Sequence, residues 1–145
     1  MYKKRLIDLR NEYNLKQLEL AKILSLAPTT YNNYENEYET MPIKHINNVC
    51  NYFNVSLDYL FNFTYLKTYS QINKDINNIK SGKRLKEFRL NHKFTQKDLA
   101  KLLNVDQTTI SKYETGLKVI ATNYLYTICK KYNISADYLL GKIDN

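Results

Sequence analysis

The stretch QKDLAKLLNVDQTTISKYE, residues 96–114, decides the fold of this chain. Within each half of the stretch its apolar residues recur four or three positions apart, as Leu99 and Leu103 or Ile110 and Tyr113 do, which is the spacing of one helical face. They are Leu99, Leu103, Val105, Ile110 and Tyr113. Ala100 is small enough to let two helix backbones approach closely, and Asn104 stands where a turn often needs a left-handed residue. The stretch therefore predicts two short helices that cross steeply.

This stretch belongs to a longer internal repeat. Residues 5–60 align with residues 84–139 at an offset of 79 positions and without a gap, with 18 identities in 56 positions. Duplication is the simplest origin of such a match. We therefore expect a domain at 1–63, a linker at 64–82 and a second domain at 83–145.

Both repeats are expected to be helical, because the chain has only three glycines and two prolines and shows no strand periodicity. The predicted helices of the second repeat are 83–92, 96–103, 107–114, 123–132 and 136–140. In the first repeat, Pro28 suits the opening of the third helix, where its missing N–H costs nothing. The fold class is all-α, with five helices in each domain.

The linker carries a heptad-like stripe of its own. Tyr65, Tyr69, Ile72, Ile76 and Ile79 are spaced by four, three, four and three residues. This spacing predicts a helix of two heptads, too short to indicate a coiled coil. The stripe either packs on its own chain or pairs with a second copy. Ser81 and Gly82 then mark the break before the second domain.

Charge is distributed unevenly between the repeats. The whole chain carries +8, whereas residues 1–63 sum to zero and residues 83–145 to +6. Attraction to a phosphate backbone would therefore act mainly on the second repeat. No stretch is apolar enough for a signal peptide or a membrane span, so we expect a cytoplasmic protein.

The sequence offers no sign of an enzyme. A glycine-rich phosphate loop, a nucleophile elbow and a metal-spaced cluster are all missing, so no catalytic activity, cofactor or metal is expected. Cys50 and Cys129 fall at the same point of each repeat, within an apolar helical stripe. We expect both to be core thiols.

With these motifs in place, both repeats resemble the Cro/CI family of helix-turn-helix repressors, the lambda-repressor-like or XRE-type fold. The likeness rests on five features: the glutamine that opens the second helix, the Leu-Ala pair, the Thr-Thr start of the third helix, Tyr-Glu at its end, and Ser-x-Asp-Tyr-Leu in the fifth. It implies two tandem lambda-repressor-like domains.

The resemblance further implies that the third helix of the second repeat enters the DNA major groove. Gln107, Thr108 and Lys112 would then read base edges. The implied phosphate contacts are Gln96, Thr109, Ser111 and Lys118. Arg89 and Glu114 match a structural salt bridge of the family, so we expect them to stabilise the domain rather than read DNA.

The first repeat departs from this pattern. Thr29 and Asn33 still match base-reading positions, and Gln17 matches a phosphate position, but Pro28 replaces the reading glutamine. The loop after the third helix of the first repeat, residues 36–40, carries Glu37 and Glu39 where the second repeat has glycine and lysine. These carboxylates would repel phosphate. We therefore expect DNA binding by the first repeat to be weak, auxiliary or absent.

Two functions fit the sequence. The favoured one is a sequence-specific regulator of transcription that acts as a repressor on double-stranded DNA, alone or as a homodimer formed through the linker helix or the first domain. The alternative is a protein-binding module such as an antitoxin or an antirepressor. Steep salt dependence of binding would indicate the first function.

Overall fold

The computed structural model describes all 145 residues, and it contains ten helices and no strands. The all-α prediction is thus confirmed. The chain divides into two compact units, a first domain at Met1–Ser70 and a second domain at Gln71–Asn145. Each domain contains five helices, as the repeat predicts.

The helices of the first domain are α1 (Lys3–Glu12), α2 (Gln17–Ile23), α3 (Pro28–Glu35), α4 (Ile43–Phe53) and α5 (Leu57–Leu60). Those of the second domain are α6 (Asn78–Asn91), α7 (Gln96–Leu103), α8 (Gln107–Glu114), α9 (Thr122–Tyr132) and α10 (Ala136–Leu139). The last four agree with the sequence prediction to within one residue at each end. The first, α6, begins five residues earlier than expected.

Local signals explain where the helices begin and end. Thr95 caps α7 by accepting a hydrogen bond from the Asp98 amide at 3.0 Å, while the Asp98 carboxylate accepts one from the Thr95 amide at 2.9 Å. Asn104 ends α7 in the left-handed conformation, with φ of 56°. Pro28 occupies the first turn of α3, as predicted.

Each domain packs its own apolar core. In the second domain the buried members on α7 and α8 are Leu99, Ala100, Leu103, Ile110 and Tyr113. The two cysteines are buried and free of disulfide bonds, so their prediction as core thiols is confirmed. Burial of the α8 residues fixes which edge of that helix remains exposed.

The predicted linker helix is wrong. Residues 64–77 form no helix, and of the stripe only Ile79 lies in one. The backbone is tied to the domains instead: Ser56 N–H donates to Lys67 O at 2.7 Å, and Asn73 N–H donates to Lys142 O at 2.8 Å. Short polar side chains that favour turns are frequent in this segment, and they offset the heptad spacing. The predicted linker is shared between the two domains.

The predicted break at Ser81 and Gly82 is also wrong. Both residues are buried within α6. Glycine is needed there because a Cβ atom at Gly82 would lie 2.5 Å from the carbonyl oxygen of Glu114. Gly82 thus marks a close helix crossing and not a helix end.

Candidate nucleic-acid interface

The pair α7 and α8 presents one edge of α8 to solvent. Ile110 and Tyr113 are buried beneath α8, whereas Gln107 and Thr108 are exposed and Lys112 is half-buried. Thr108 and Lys112 are four residues apart, so they share one helical face. We refer to Gln107, Thr108 and Lys112 as the exposed edge of α8. The structure brings together the three residues that sequence reasoning assigned to base reading.

Thr109 and Ser111 flank this edge. Both are half-buried and lie on either side of the buried Ile110. Hydroxyl groups at these positions remain able to donate to a phosphate beside the helix. Their predicted phosphate contacts are compatible with this placement.

A buried salt bridge holds the far end of α8. Arg89 Nε donates to Glu114 Oε2 at 2.6 Å, and Arg89 Nη2 donates to Oε1 at 3.0 Å. The hydrogen bond that Arg89 donates to Glu114 raises the pKa of Arg89. A third bond, from Arg89 Nη1 to Phe94 O at 2.9 Å, ties α6 to the turn before α7. The predicted structural role of Arg89 and Glu114 is therefore confirmed.

Gln96 joins that salt bridge to the exposed edge of α8. Its Nε2 donates to Glu114 Oε1 at 3.2 Å, and its Oε1 accepts from Gln107 Nε2 at 3.5 Å, the limit of a hydrogen bond. The side chain predicted to touch phosphate is thus half-buried and engaged within the protein. It orients Gln107 from behind.

The start of α7 offers backbone donors near Gln96. The first N–H groups of a helix have no acceptor within it. Thr95 and Asp98 bond to each other, so this capping box leaves the amides of Gln96 and Lys97 unengaged. Such a helix N-terminus attracts anions.

The loop after α8 is held in place at both ends. Gly116 has φ of 80°, and a Cβ atom there would lie 2.7 Å from Ile79 Cδ1. The Lys118 amide donates to Lys112 O at 3.2 Å, while its side chain is exposed. Lys118 therefore projects from a fixed backbone position just beyond α8.

The corresponding edge in the first domain is built differently. Thr29 is exposed and Asn33 is half-buried, with Pro28 at the position of Gln107. Gln17 has both ends engaged, since its Nε2 donates to the Glu35 carboxylate and its Oε1 accepts from Asn32 Nδ2 at 2.9 Å. No cation lies at the position of Lys112.

Sequence reasoning missed this role of Asn32. Pro28 carries no side-chain amide that could support Gln17, and Asn32 supplies one from a full turn further along α3. The sequence signal was that, compared with the second repeat, the first repeat has no glutamine at position 28 but has an amide side chain four residues later, at Asn32. Tyr31 was missed as well, and its buried hydroxyl donates to Glu35 Oε1 at 2.8 Å.

The acidic loop of the first domain is less repulsive than its sequence suggests. The N-terminal ammonium of Met1 lies 2.9 Å from Glu37 Oε2, and the amide of Lys3 donates to the same oxygen at 3.1 Å. Only Glu39 remains exposed without such a partner. Glu37 is thus paired within the first domain, and the predicted repulsion of phosphate by this loop stays a prediction.

The structure contains neither a metal-binding cluster nor a membrane-spanning helix. Across residues 1–145, no three His, Cys, Asp or Glu side chains converge in a way that would hold a metal ion. None of the ten helices combines the length and the apolar character needed to cross a membrane.

Comparison with known proteins agrees with this geometry. Residues 85–139 match a family model described as "Helix-turn-helix", and residues 4–66 match one described as "Helix-turn-helix domain". Over 61 residues, 42% of this chain and 48% of the relative, the sequence is 44% identical to the HTH-type transcriptional regulator ImmR of Bacillus subtilis. It is 31% identical over 61 residues to the antitoxin PezA of Streptococcus pneumoniae, covering 42% of this chain and 39% of PezA. The chain thus spans less than half the length of these relatives.

Proposed function

This chain is a tandem pair of XRE-type helix-turn-helix domains, and from that premise we propose that it binds double-stranded DNA sequence-specifically and regulates transcription as a repressor. The observation that carries the proposal is the exposed edge of α8. Gln107 and Thr108 are exposed and Lys112 is half-buried, and Gln107 contacts Gln96, which in turn donates to Glu114. We further propose that the protein acts in the cytoplasm and catalyses no reaction.

Base reading falls to the exposed edge of α8. A glutamine amide can pair with adenine through two hydrogen bonds, and a lysine can donate to the acceptors of guanine. The methyl group of Thr108 can contact thymine. Because Gln96 restrains Gln107, its amide loses less conformational freedom on binding.

Phosphate contacts would flank this edge. The N-terminus of α7, with Gln96, lies beside α8, and Lys118 lies in the loop beyond its C-terminal end. Thr109 and Ser111 would contact phosphates on either side of this edge. Residues 83–145 carry a net charge of +6, which supplies the long-range attraction.

The first domain would play a lesser part on DNA. Thr29 and Asn33 are the side chains it offers to bases, and Gln17 is largely occupied by Glu35 and Asn32. Without net charge, residues 1–63 add little non-specific affinity. We propose that this domain assists binding at an adjoining half-site or mediates association.

The experiment that tests this function is selection of bound sequences from a random duplex pool, followed by titration of the best duplex in rising salt. We expect a defined motif and a log-linear loss of affinity, with a slope near −0.9 for each phosphate contact. One continuous asymmetric footprint would indicate two reading domains in one chain, whereas an inverted repeat would indicate a dimer. Failure to bind any duplex in dilute buffer would refute the proposal.

A protein-binding function is the second candidate, and the similarity to the antitoxin PezA is the observation that favours it. In that case the neutral first domain would hold a protein partner. Binding would then lack the steep salt dependence expected for phosphate contacts.

A further inference from the structure

One face of α6 carries exposed cations that the base and phosphate contacts described above do not include. Lys83 and Lys86 are exposed, and neither takes part in an ion pair of the chain. Ile79 and Leu90, which are 56% and 55% exposed, lie on the same face, because successive members are four, three and four positions apart. We refer to Ile79, Lys83, Lys86 and Leu90 as the basic flank of α6.

The basic flank borders the side of α6 that packs on α8. Gly82 and Arg89 form that side, since both contact Glu114 at the end of α8. Gly82 and Arg89 are each three or four positions from Lys86, so they are its neighbours on the helix surface. Arg84, whose Nη1 donates to Ile143 O at 2.7 Å, faces the other way. No member of the basic flank is three or four positions from Arg84.

Ile79 connects the basic flank to the loop after α8. A Cβ atom on Gly116 would lie 2.7 Å from Ile79 Cδ1 and 3.1 Å from Asn78 O. Lys83 follows Ile79 by one helical turn, and residues four apart on a helix have Cβ atoms about 5–6 Å apart. Lys83 and Lys118 therefore both extend from backbone that lies next to this loop.

The second domain supplies no anion for these lysines. Glu114 is the nearest carboxylate on α8, and Arg89 engages both of its oxygens. Glu87 follows Lys83 by four positions but takes part in no ion pair. The side chain of Lys118 adds a charge of the same sign. Such a group of unpaired cations creates a positive potential that attracts an anion from outside the domain.

The first domain lacks this arrangement at the equivalent positions. Lys86 corresponds to Ile7, so only one cation of the pair, Lys4, remains there. The glycine of the loop corresponds to Glu37, which places a carboxylate where the second domain has none. The basic flank is therefore particular to the second domain, the one proposed to read bases.

We propose that Lys83 and Lys86 bind phosphates of the duplex whose bases are read by the exposed edge of α8, so that the DNA contact continues from the loop that carries Lys118 onto α6. This inference rests on the DNA binding proposed above and adds two phosphate contacts to it. Because α6 is a continuous helix, both ammonium groups are carried on one fixed element. Contacts to phosphate position the protein and carry no sequence information.

Salt titration of a double variant, Lys83→Ala with Lys86→Ala, on the selected duplex tests the inference. Each phosphate contact contributes about 0.9 to the slope of log affinity against log salt, so the slope should become shallower by about 1.8. The preference among sequences should not change. The matched control is Lys130→Ala with Lys131→Ala, which removes the same charge from exposed positions of α9 and should change the slope less.

The outcomes separate this inference from the function on which it rests. If the double variant and the control have the same slope, the inference is overturned while DNA binding stands. If the wild type binds no duplex, both fail. Because all four substituted lysines are exposed, we expect the thermal unfolding of both variants to match that of the wild type.

Ethylation interference locates the contacts on the duplex. In the wild type, ethylation should block binding at phosphates beyond those that flank the bases read by α8. In the double variant these outer phosphates should no longer interfere, whereas the phosphate contacted by Lys118 should still do so. An identical interference pattern for the two proteins would overturn the inference.

Discussion

A Cβ atom placed on Gly82 would lie 2.5 Å from the carbonyl oxygen of Glu114, so α6 crosses the end of α8 without room for any side chain. The turn of α6 that precedes this crossing rests on Gly116, at the start of the loop that carries Lys118. Two glycines therefore permit the close contacts of α6, Gly82 with the end of α8 and Gly116 with the loop beyond it.

Replacing Gly82→Ala should destabilise the second domain by about 1–3 kcal/mol, because backbone atoms cannot yield to the added methyl group. Helix propensity alone favours alanine by about 1 kcal/mol. A loss of stability would therefore show that the close contact between α6 and α8 outweighs helix propensity. Urea unfolding followed by the amide signals of α6 and α8 measures it. The neighbouring exposed Lys83→Ala is the control, and a stabilised Gly82→Ala domain would contradict the crossing.

Replacing Gln107→Ala or Lys112→Ala should reduce discrimination between the selected site and single-base variants by about 1–3 kcal/mol each. Each substitution removes a side chain of the exposed edge of α8 and leaves the buried face intact. Competition titrations against mismatched duplexes measure the loss. If both variants bind normally while Thr29→Ala and Asn33→Ala abolish binding, the base-reading domain is the first one.

Replacing Lys118→Ala should weaken binding to all sequences alike, because a phosphate contact carries no sequence information. The slope of log affinity against log salt should fall by about one unit. Lys130→Ala removes an equal charge from the exposed side of α9, and we expect it to change affinity less. A selective loss on one sequence alone would assign Lys118 to base reading.

Acid should loosen the first domain through Glu35. Burial alone would raise the pKa of this carboxyl, but hydrogen bonds from Arg10, Gln17 and Tyr31 outweigh it and lower the pKa below its ordinary value of 4.5. A lowered pKa contributes stability that is present above the ordinary value and is lost as the pH falls through the folded value. The free energy of unfolding of the first domain should therefore fall below about pH 4.

The Glu35→Gln variant isolates this effect. It should be less stable than the wild type at neutral pH and should lose less stability on acidification, as followed by the amide signals of α1 and α3 in urea. Parallel losses in the two proteins would show that other carboxyls control the acid response.

Periodicity and capping residues predicted the helices that carry the interface because those signals are local. The side chain of Thr95 caps the start of α7, and the left-handed backbone of Asn104 ends it. Ala100 lies where the two short helices were predicted to approach closely. The pair Arg89 and Glu114 was predicted from the family resemblance, and the geometry confirms it. The contacts with DNA remain predictions.

The segment between the domains was mispredicted because its structure depends on distant partners. The spacing of Tyr65 and Tyr69 fits a helix, but Tyr69 donates to Asp58 Oδ2 at 2.6 Å and Tyr65 packs on little but Arg5. Backbone bonds such as Asn77 N–H to Leu140 O, at 3.0 Å, decide its course. No pattern within the segment encodes partners that lie more than 60 residues away in the sequence.

The support of Gln17 by Asn32, where the second domain uses Gln107, limits how the two domains can exchange specificity. If only the outward-facing residues of α8 were transplanted onto α3, the residues at positions 28 and 32 would no longer be matched to their contact with Gln17. A hybrid that reads a new site must therefore move the supporting amide together with the side chains that touch the bases. These differing contacts make α3 and α8 non-interchangeable between the two domains.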